Sequence, residues 1–327
     1  EIPHLKHSLA ALYQAMLNIL NLFLATAIRS SSGFELYAYF TDKNDIAGKD
    51  ATYYQDLFSC GVTELIFGGF SVSAAGALQK AFPDDTQLRM AREAADQHNA
   101  RVSFMLQGVS FINANSSVYS AFFKSANDMF EKYLFDGINF DWEFPGSTAE
   151  WKKYRDLMKN TRANVKRGGR NARVTVAIGG SYHSYKDIDL CGGIDMCLWM
   201  GYDNHNDPRG QSNIPWVKSM VNQWINVEKL DPAKFGLGLP LYGENKAGAQ
   251  ARYAKLVADG ANPKGNGSFN GYFFDSQPIL QEKIDFAKNQ GLGGLMAWVL
   301  QSDLPPNDTR SLMNGIKQKL NPGAFLM

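Results

Sequence analysis

Ten residues in the middle of the chain constrain its fold more than any other stretch: Phe135-Asp136-Gly137-Ile138-Asn139-Phe140-Asp141-Trp142-Glu143-Phe144. Read as a strand, side chains two apart share a face. Asn139, Asp141 and Glu143 then lie on one side, and Ile138, Phe140 and Trp142 on the other. Turn-like Asp136-Gly137 and Pro145-Gly146 bound the stretch, and apolar strand candidates surround it. A polar face aimed into a closed barrel fits that setting better than a surface strand. Two carboxylates on one inward face are costly to bury, and such a cost usually marks chemistry. At about 5 Å and an effective dielectric of about 20 they repel by roughly 3 kcal/mol, or about 2 pKa units. One of them is expected to stay protonated near neutral pH, as a general acid must. The bland alternative is a salt-bridged pair on an edge strand, but no Arg or Lys alternates with the acids.

Around this stretch, apolar runs alternate with helix-like segments. Strands are predicted over 34–40, 62–70, 101–106, the stretch itself, 173–178, 194–200, 235–241 and 292–300. Helices are predicted over 50–59, 84–99, 116–133, 148–165, 215–227, 248–258, 277–289 and 308–320. Several strands are continuously apolar, as parallel strands buried on both faces should be. Eight such strands, most followed by a helix, predict a (β/α)8 TIM barrel of class α/β, a single domain over 33–327. The segment between Tyr242 and Gly291 is too short for a large α/β insertion. A doubly wound open sheet is the runner-up, and no Gly-rich phosphate loop supports it.

Composition narrows the partners. The 327 residues are 45% hydrophobic and 20% charged, with a formal net charge of +1. No broad attraction to nucleic acid or anionic membrane follows, so neither is expected as a partner. The basic run over 152–173 suits a solvated helix face. Residues 9–28 are apolar and helical in pattern, but Gln14, Asn18 and Asn21 make them too polar for a membrane span. Within 1–32, residues 16–27 look like a signal-peptide core, which predicts secretion; a docked N-terminal helix is the alternative. Sequons at Asn115, Asn266 and Asn307 agree with secretion and glycosylation. Cys60, Cys191 and Cys197 show no zinc spacing. Cys191 and Cys197 either pair across a short loop or stay as buried thiols.

In such a barrel, chemistry sits where strands end. Those ends offer Tyr39, then Phe70, then Gln107-Gly108, then Asn139, Asp141 and Glu143. After them come Met200, Tyr202 and Asp203, then Tyr242, and last Trp298 and Asp303. Any one aromatic could simply fill core; the argument rests on their joint placement around carboxylates. Aromatic faces stack on sugar CH faces, and a carboxylic acid protonates a glycosidic oxygen. With no metal set and no Ser-His pair, a glycoside hydrolase without metal or cofactor is expected.

The run Asp136-Gly137-Ile138-Asn139-Phe140-Asp141-Trp142-Glu143 resembles the signature Asp-Gly-x-Asp-x-Asp-x-Glu of family 18 glycoside hydrolases, the chitinases. Met200-Gly201-Tyr202-Asp203 is similar to the family's Met-x-Tyr-Asp. Residues 235–243 and 293–298 resemble its seventh and eighth strands. The resemblance implies Glu143 as general acid and then base, with Asp141 orienting the substrate's acetamido group. Tyr202 would donate to the acetamido oxygen, Asp203 would help bind the same sugar, and Trp298 would floor it. Tyr39, Phe70, Gln107, Trp142, Met200 and Tyr242 would complete the substrate site. The substrate's own acetamido oxygen would be the nucleophile, an intramolecular attack with a high effective molarity. It implies β-1,4-linked N-acetylglucosamine, as chitin or its oligomers, as partner of a secreted monomer. Two departures stand out. Asn139 replaces the family's Asp, predicting slower turnover and a shifted pH profile. Met105-Leu106-Gln107-Gly108 stands where Ser-x-Gly-Gly is common. They keep open a chitinase-like lectin without turnover. An endo-β-N-acetylglucosaminidase acting on glycoprotein glycans would use the same residues.

Overall fold

The computed structural model describes residues 33–109, 111–179, 185–204 and 207–320. Eight parallel strands carry it: β1 (Glu35–Phe40), β2 (Glu64–Val72), β3 (Arg101–Gln107), β4 (Gly137–Asp141), β5 (Arg173–Ile178), β6 (Met196–Trp199), β7 (Phe235–Pro240) and β8 (Gly294–Trp298). Each pairs with the next, and β8 pairs with β1, so the ring closes without an edge. The barrel expected from the strand-helix alternation is therefore present. The expected signal peptide within 1–32 lies outside the described residues.

Helices α1 (Ala51–Ser59), α2 (Asp85–Gln97), α3 (Ser116–Tyr133), α4 (Thr148–Asn164), α5 (Ile214–Asn222), α6 (Gln277–Asn289) and α7 (Leu312–Leu320) surround the ring. Most of them begin where a short polar side chain can accept an otherwise free N–H. Asp50 accepts from Tyr53, Asp84 from Gln87, Ser147 from Glu150 and Asn213 from Trp216. Their buried faces meet the outward faces of the strands in one large apolar layer, for example Trp151, Tyr154 and Leu157 of α4.

The inward faces form a second, separate cluster. Tyr37 and Tyr39 of β1, Ile66 of β2, Met105 of β3, Met196 and Leu198 of β6 and Met296 of β8 fill the lumen. Below them an ion network closes the amino-terminal end of the barrel. Glu64, 1% exposed, accepts from Arg101 Nε at 2.8 Å, Arg173 Nε at 3.1 Å and Ser103 Oγ at 2.6 Å. Arg173 Nη2 also reaches Glu35 at 2.8 Å and Tyr37 Oη at 2.7 Å. Gly137 makes room for this network: a Cβ there would lie 2.7 Å from Ser103 Oγ.

Several expectations are corrected. β2 runs past residue 70 to Val72 and turns back as the antiparallel strand Leu78–Lys80. The helix expected over 248–258 is only Tyr253–Ala258. Gln250–Arg252 is instead a strand in a small antiparallel sheet with Tyr242–Asn245, Tyr272–Phe273 and Ser268–Phe269. The last helix starts at Leu312 rather than at 308. The buried Asp303 carboxylate accepts from the N–H groups of Leu312 and Met313, at 3.0 and 2.9 Å. That is a cap, not a place on the rim of the site. The open choice for the cysteines resolves as a Cys191–Cys197 disulfide, with Cys60 a buried free thiol. Cys197 lies on the outward face of β6, between lumen-facing Met196 and Leu198.

Candidate active site

The carboxyl ends of the strands bring most of the expected residues together. β4 sets Asn139 and Asp141 on one inward face. Asn139 is fully buried, and its Nδ2 donates to Thr175 Oγ1 of β5 at 2.8 Å. Asp141 is 5% exposed and lies in register with Gln107 of β3. The Gln107 side chain lies near the Asp141 carboxyl and favours its charged form. Glu143 follows just beyond the strand, where it is exposed at the mouth. The Glu143–Phe144 peptide bond is cis.

Burial, and then the Glu143 charge, push Asp141 up to about 7; the Gln107 side chain opposes them. Glu143 is also raised, by partial burial and then by the Asp203 carboxylate. The two carboxyls lie close enough for each to act on the other's proton affinity. The pair thus holds a proton near neutral pH, as the sequence suggests, with much of the cause lying at the buried Asp141.

Aromatic and polar groups close in on this pair. Tyr39, 1% exposed, meets Trp298 edge-on with ring centroids 5.3 Å apart. Burial, and next the Asp141 charge, hold the Tyr39 phenol far above its usual range. Tyr202 is buried against Tyr242 at 6.1 Å, and it feels Tyr39, Asp141, Asp203 and Glu143. Met200 and Trp298 pack against the same lumen cluster, half-buried. Asp203 accepts a short hydrogen bond from the Tyr242 phenol and one from Gln250 Nε2 at 3.3 Å. At the foot of the pair, Tyr39 Oη, Asn139 Oδ1 and Asp141 Oδ1 are buried without a hydrogen-bond partner. Buried polar groups are usually hydrogen-bonded, so each of these three calls for an explanation.

Two expected residues lie elsewhere. Phe70 stacks on Phe104 at 4.4 Å and meets Phe135 at 5.6 Å, in the layer between barrel and helices. A register shift between Phe67 and Phe70, with Gly69 at φ +88°, rotates it outward. Trp142 packs edge-on to Tyr154 of α4 at 5.5 Å, opposite the carboxylates. Sequence reasoning misses Phe144. Its ring covers Gly179, where a Cβ would lie 2.7 Å from Phe144 Cζ and 3.0 Å from Met200 Cε. Its exposure of 36% places an apolar face beside Glu143. Gln250 is also missed, because it sits in the small antiparallel sheet.

Such a site can donate a proton from one carboxyl, hold a neighbouring amide or carbonyl with the other, and stack a sugar ring on Trp298. Comparisons with known proteins agree. The sequence model of Glycosyl hydrolases family 18 matches residues 35–303. Endochitinase 1 of Metarhizium anisopliae is 22% identical over 258 residues, covering 63% of this chain and 60% of that protein. A chitinase from Bacteroides thetaiotaomicron superposes with a TM-score of 0.74 at 16% identity, over 90% of this chain and 98% of the other. A doubly substituted form of the family 18 chitinase from Cycas revoluta, in complex with (GlcNAc)4, superposes with a TM-score of 0.72 at 14% identity. That match covers 88% of this chain and 99% of the other. The chain spans less than two thirds of the Metarhizium protein and of the insect chitinases it also matches.

Proposed function

The chain belongs to glycosyl hydrolases family 18, and from that premise we propose that it hydrolyses β-1,4-linked N-acetylglucosamine polymers with retention of configuration. Glu143 gives its proton to the glycosidic oxygen as that bond breaks. The substrate's acetamido oxygen attacks the anomeric carbon from the opposite face, forming a cyclic oxazolinium. Asp141 accepts the acetamido N–H and offsets its developing positive charge, while Tyr202 donates to the acetamido oxygen. Glu143 then deprotonates the water that opens the ring. Asp203 holds the same sugar, and Trp298 supports its apolar face. Asn139, Tyr39, Gln107, Met200 and Tyr242 line or brace this site. Effective molarities of about 10⁵ M or more make an internal nucleophile competitive without an enzyme ester.

One observation carries this reading: Asp141, buried at the end of β4, and Glu143 two residues on both have raised proton affinity and lie close to Tyr202 and Asp203. The (GlcNAc)4 in the Cycas protein supports the same ligand class. The Cys191–Cys197 disulfide and exposed Asn115, Asn266 and Asn307 support a secreted glycoprotein.

The test is to incubate purified protein with chitin oligomers and identify the first-formed anomer by NMR. The β-anomer is expected. Glu143→Gln should cleave at least about 10³-fold more slowly while still binding. An α-anomer product would reject the internal nucleophile. Binding without cleavage by wild type would favour the lectin reading, to which Asn139 and Gln107 lend support. Cleavage of glycoprotein glycans in preference to chitin oligomers would favour the endo-β-N-acetylglucosaminidase.

A further inference from the structure

The ladder between β6 and β7 covers only Cys197–Trp199 against Phe235–Leu237. Beyond it the two chains carry Tyr202 and Asp203 on one side and Tyr242 on the other. The returning loop before α5 fills this gap. Gln211, 2% exposed, lies between the two strand ends. Its Oε1 accepts from the Asp203 N–H at 3.1 Å, and its Nε2 donates to the Tyr242 carbonyl at 3.3 Å. Its own carbonyl accepts from the Asn204 N–H at 3.0 Å.

Asp203 needs this brace. Its φ is +63°, a left-handed conformation that a non-glycine residue keeps only when its surroundings over-determine it. Its side chain is held by Tyr242 and Gln250. Its N–H is held by Gln211. The next residue anchors the bracket: Ser212 Oγ donates to the Gly201 carbonyl and accepts from Lys283 Nζ at 2.6 Å. Lys283 is fully buried and reaches both oxygens of Asp275, at 2.8 and 2.6 Å. A reading of Ser212 and Lys283 as nucleophile and base fails here. Lys283 Nζ is held between the serine oxygen and the Asp275 carboxyl, and the serine proton is committed to Gly201. The network instead ties α6 to the end of β6.

We infer that Gln211 is a positioning residue for the reaction proposed above, on which this inference rests: it fixes Asp203 against Tyr242 and so sets where the Asp203 carboxylate stands relative to Glu143. Among the described residues, Asp141, Tyr202 and Tyr242 are titratable groups that face Asp203 or Glu143. Glu244 adjoins Gln250 at 3.4 Å. Without Gln211, Asp203 can leave the left-handed conformation, and its carboxylate moves from Glu143.

Gln211→Met keeps the length of the side chain and removes both hydrogen bonds. Its kcat on chitin oligomers should fall about 10- to 100-fold, as misplacement by a fraction of an ångström to one ångström does, with KM changed less than about threefold. The alkaline limb of kcat/KM should move to lower pH, because Asp203 no longer raises Glu143. Ile316→Val, a core truncation on α7, controls for lost stability and should leave kcat and the limb in place. If Gln211→Met lowers only the melting temperature, the inference is overturned while the proposed activity stands. If wild type binds oligomers without cleaving them, the hydrolytic reading falls, and the positioning role inferred for Gln211 in that reaction falls with it. If wild type neither binds nor cleaves them, the proposed function falls, and this inference with it.

Discussion

The Asn139 side-chain amide donates to Thr175 Oγ1 across the seam between β4 and β5, and the two residues are also partners in the ladder. That bond commits the amide group, leaving Asn139 Oδ1 buried without a partner, two residues from the carboxyl of Asp141. An amide cannot take up and return a proton, so Asp141 has only Glu143 to share with. Asn139→Asp restores a carboxyl there, and the Thr175 hydroxyl can donate to it instead. Turnover is expected to rise about three- to tenfold, with the optimum moved by at least about half a pH unit. Rate against pH for both proteins checks this; superimposable profiles would reject the account.

Asp141 should make the protein less stable as pH rises. The folded state holds its proton up to about 7, whereas an unfolded chain releases it near 4. Between those values the folded state binds more protons, so stability falls with increasing pH. Asp303, pushed up to about 6 by burial, acts in the same direction and remains in the variant. Asp141→Asn removes only the first contribution. Relative to wild type it should gain stability between pH 4 and pH 8, to a ceiling of about 4 kcal/mol. Activity should drop about 10²- to 10³-fold. Urea unfolding at pH 4, 6 and 8 measures the gain; equal midpoint differences at all three would contradict it.

The barrel was legible because parallel strands buried on both faces read as apolar runs, and because Asn139, Asp141 and Glu143 broke that pattern at one place. What the sequence hid has physical causes. Phe70 follows a bulge at which the two-residue period fails. Trp142 keeps the period, and strict alternation would have sent it to α4 rather than to the sugar. The small sheet uses strands of two to four residues, too short for any periodicity to register. Gln211 acts through bonds to chain segments that meet only after folding.

The Cys191–Cys197 disulfide closes a loop with a sequence separation of 6. Closing so short a loop restricts the unfolded chain modestly, by about 2 kcal/mol. Replacing both cysteines with serine should lower the melting temperature by several degrees. The β5–β6 ladder holds β6 without it, so kcat at 25 °C should persist. A calorimetric scan beside an oligomer assay decides; loss of activity without loss of stability would mean that the bridge reaches the site.

The strongest single dependence of the fold is expected at the end of the barrel away from the chemistry. Two carboxylates, the buried Glu64 and the partly exposed Glu35, balance the guanidinium groups of Arg101 and Arg173, and both arginines are raised above their usual range. Glu64 touches both cations and Ser103. Glu64→Gln keeps the shape but leaves one positive charge uncompensated in a largely covered network. Removing one partner of a buried ion cluster costs about 3–5 kcal/mol; Glu35 still pairs with both guanidiniums, which are 16% and 25% exposed, so the lower end is expected. Ser103 also loses its anionic acceptor. The urea midpoint should fall accordingly, while kcat of the folded fraction holds. A midpoint within error of wild type would mean that water reaches the network and screens it, and that the lumen below Met105 is not sealed.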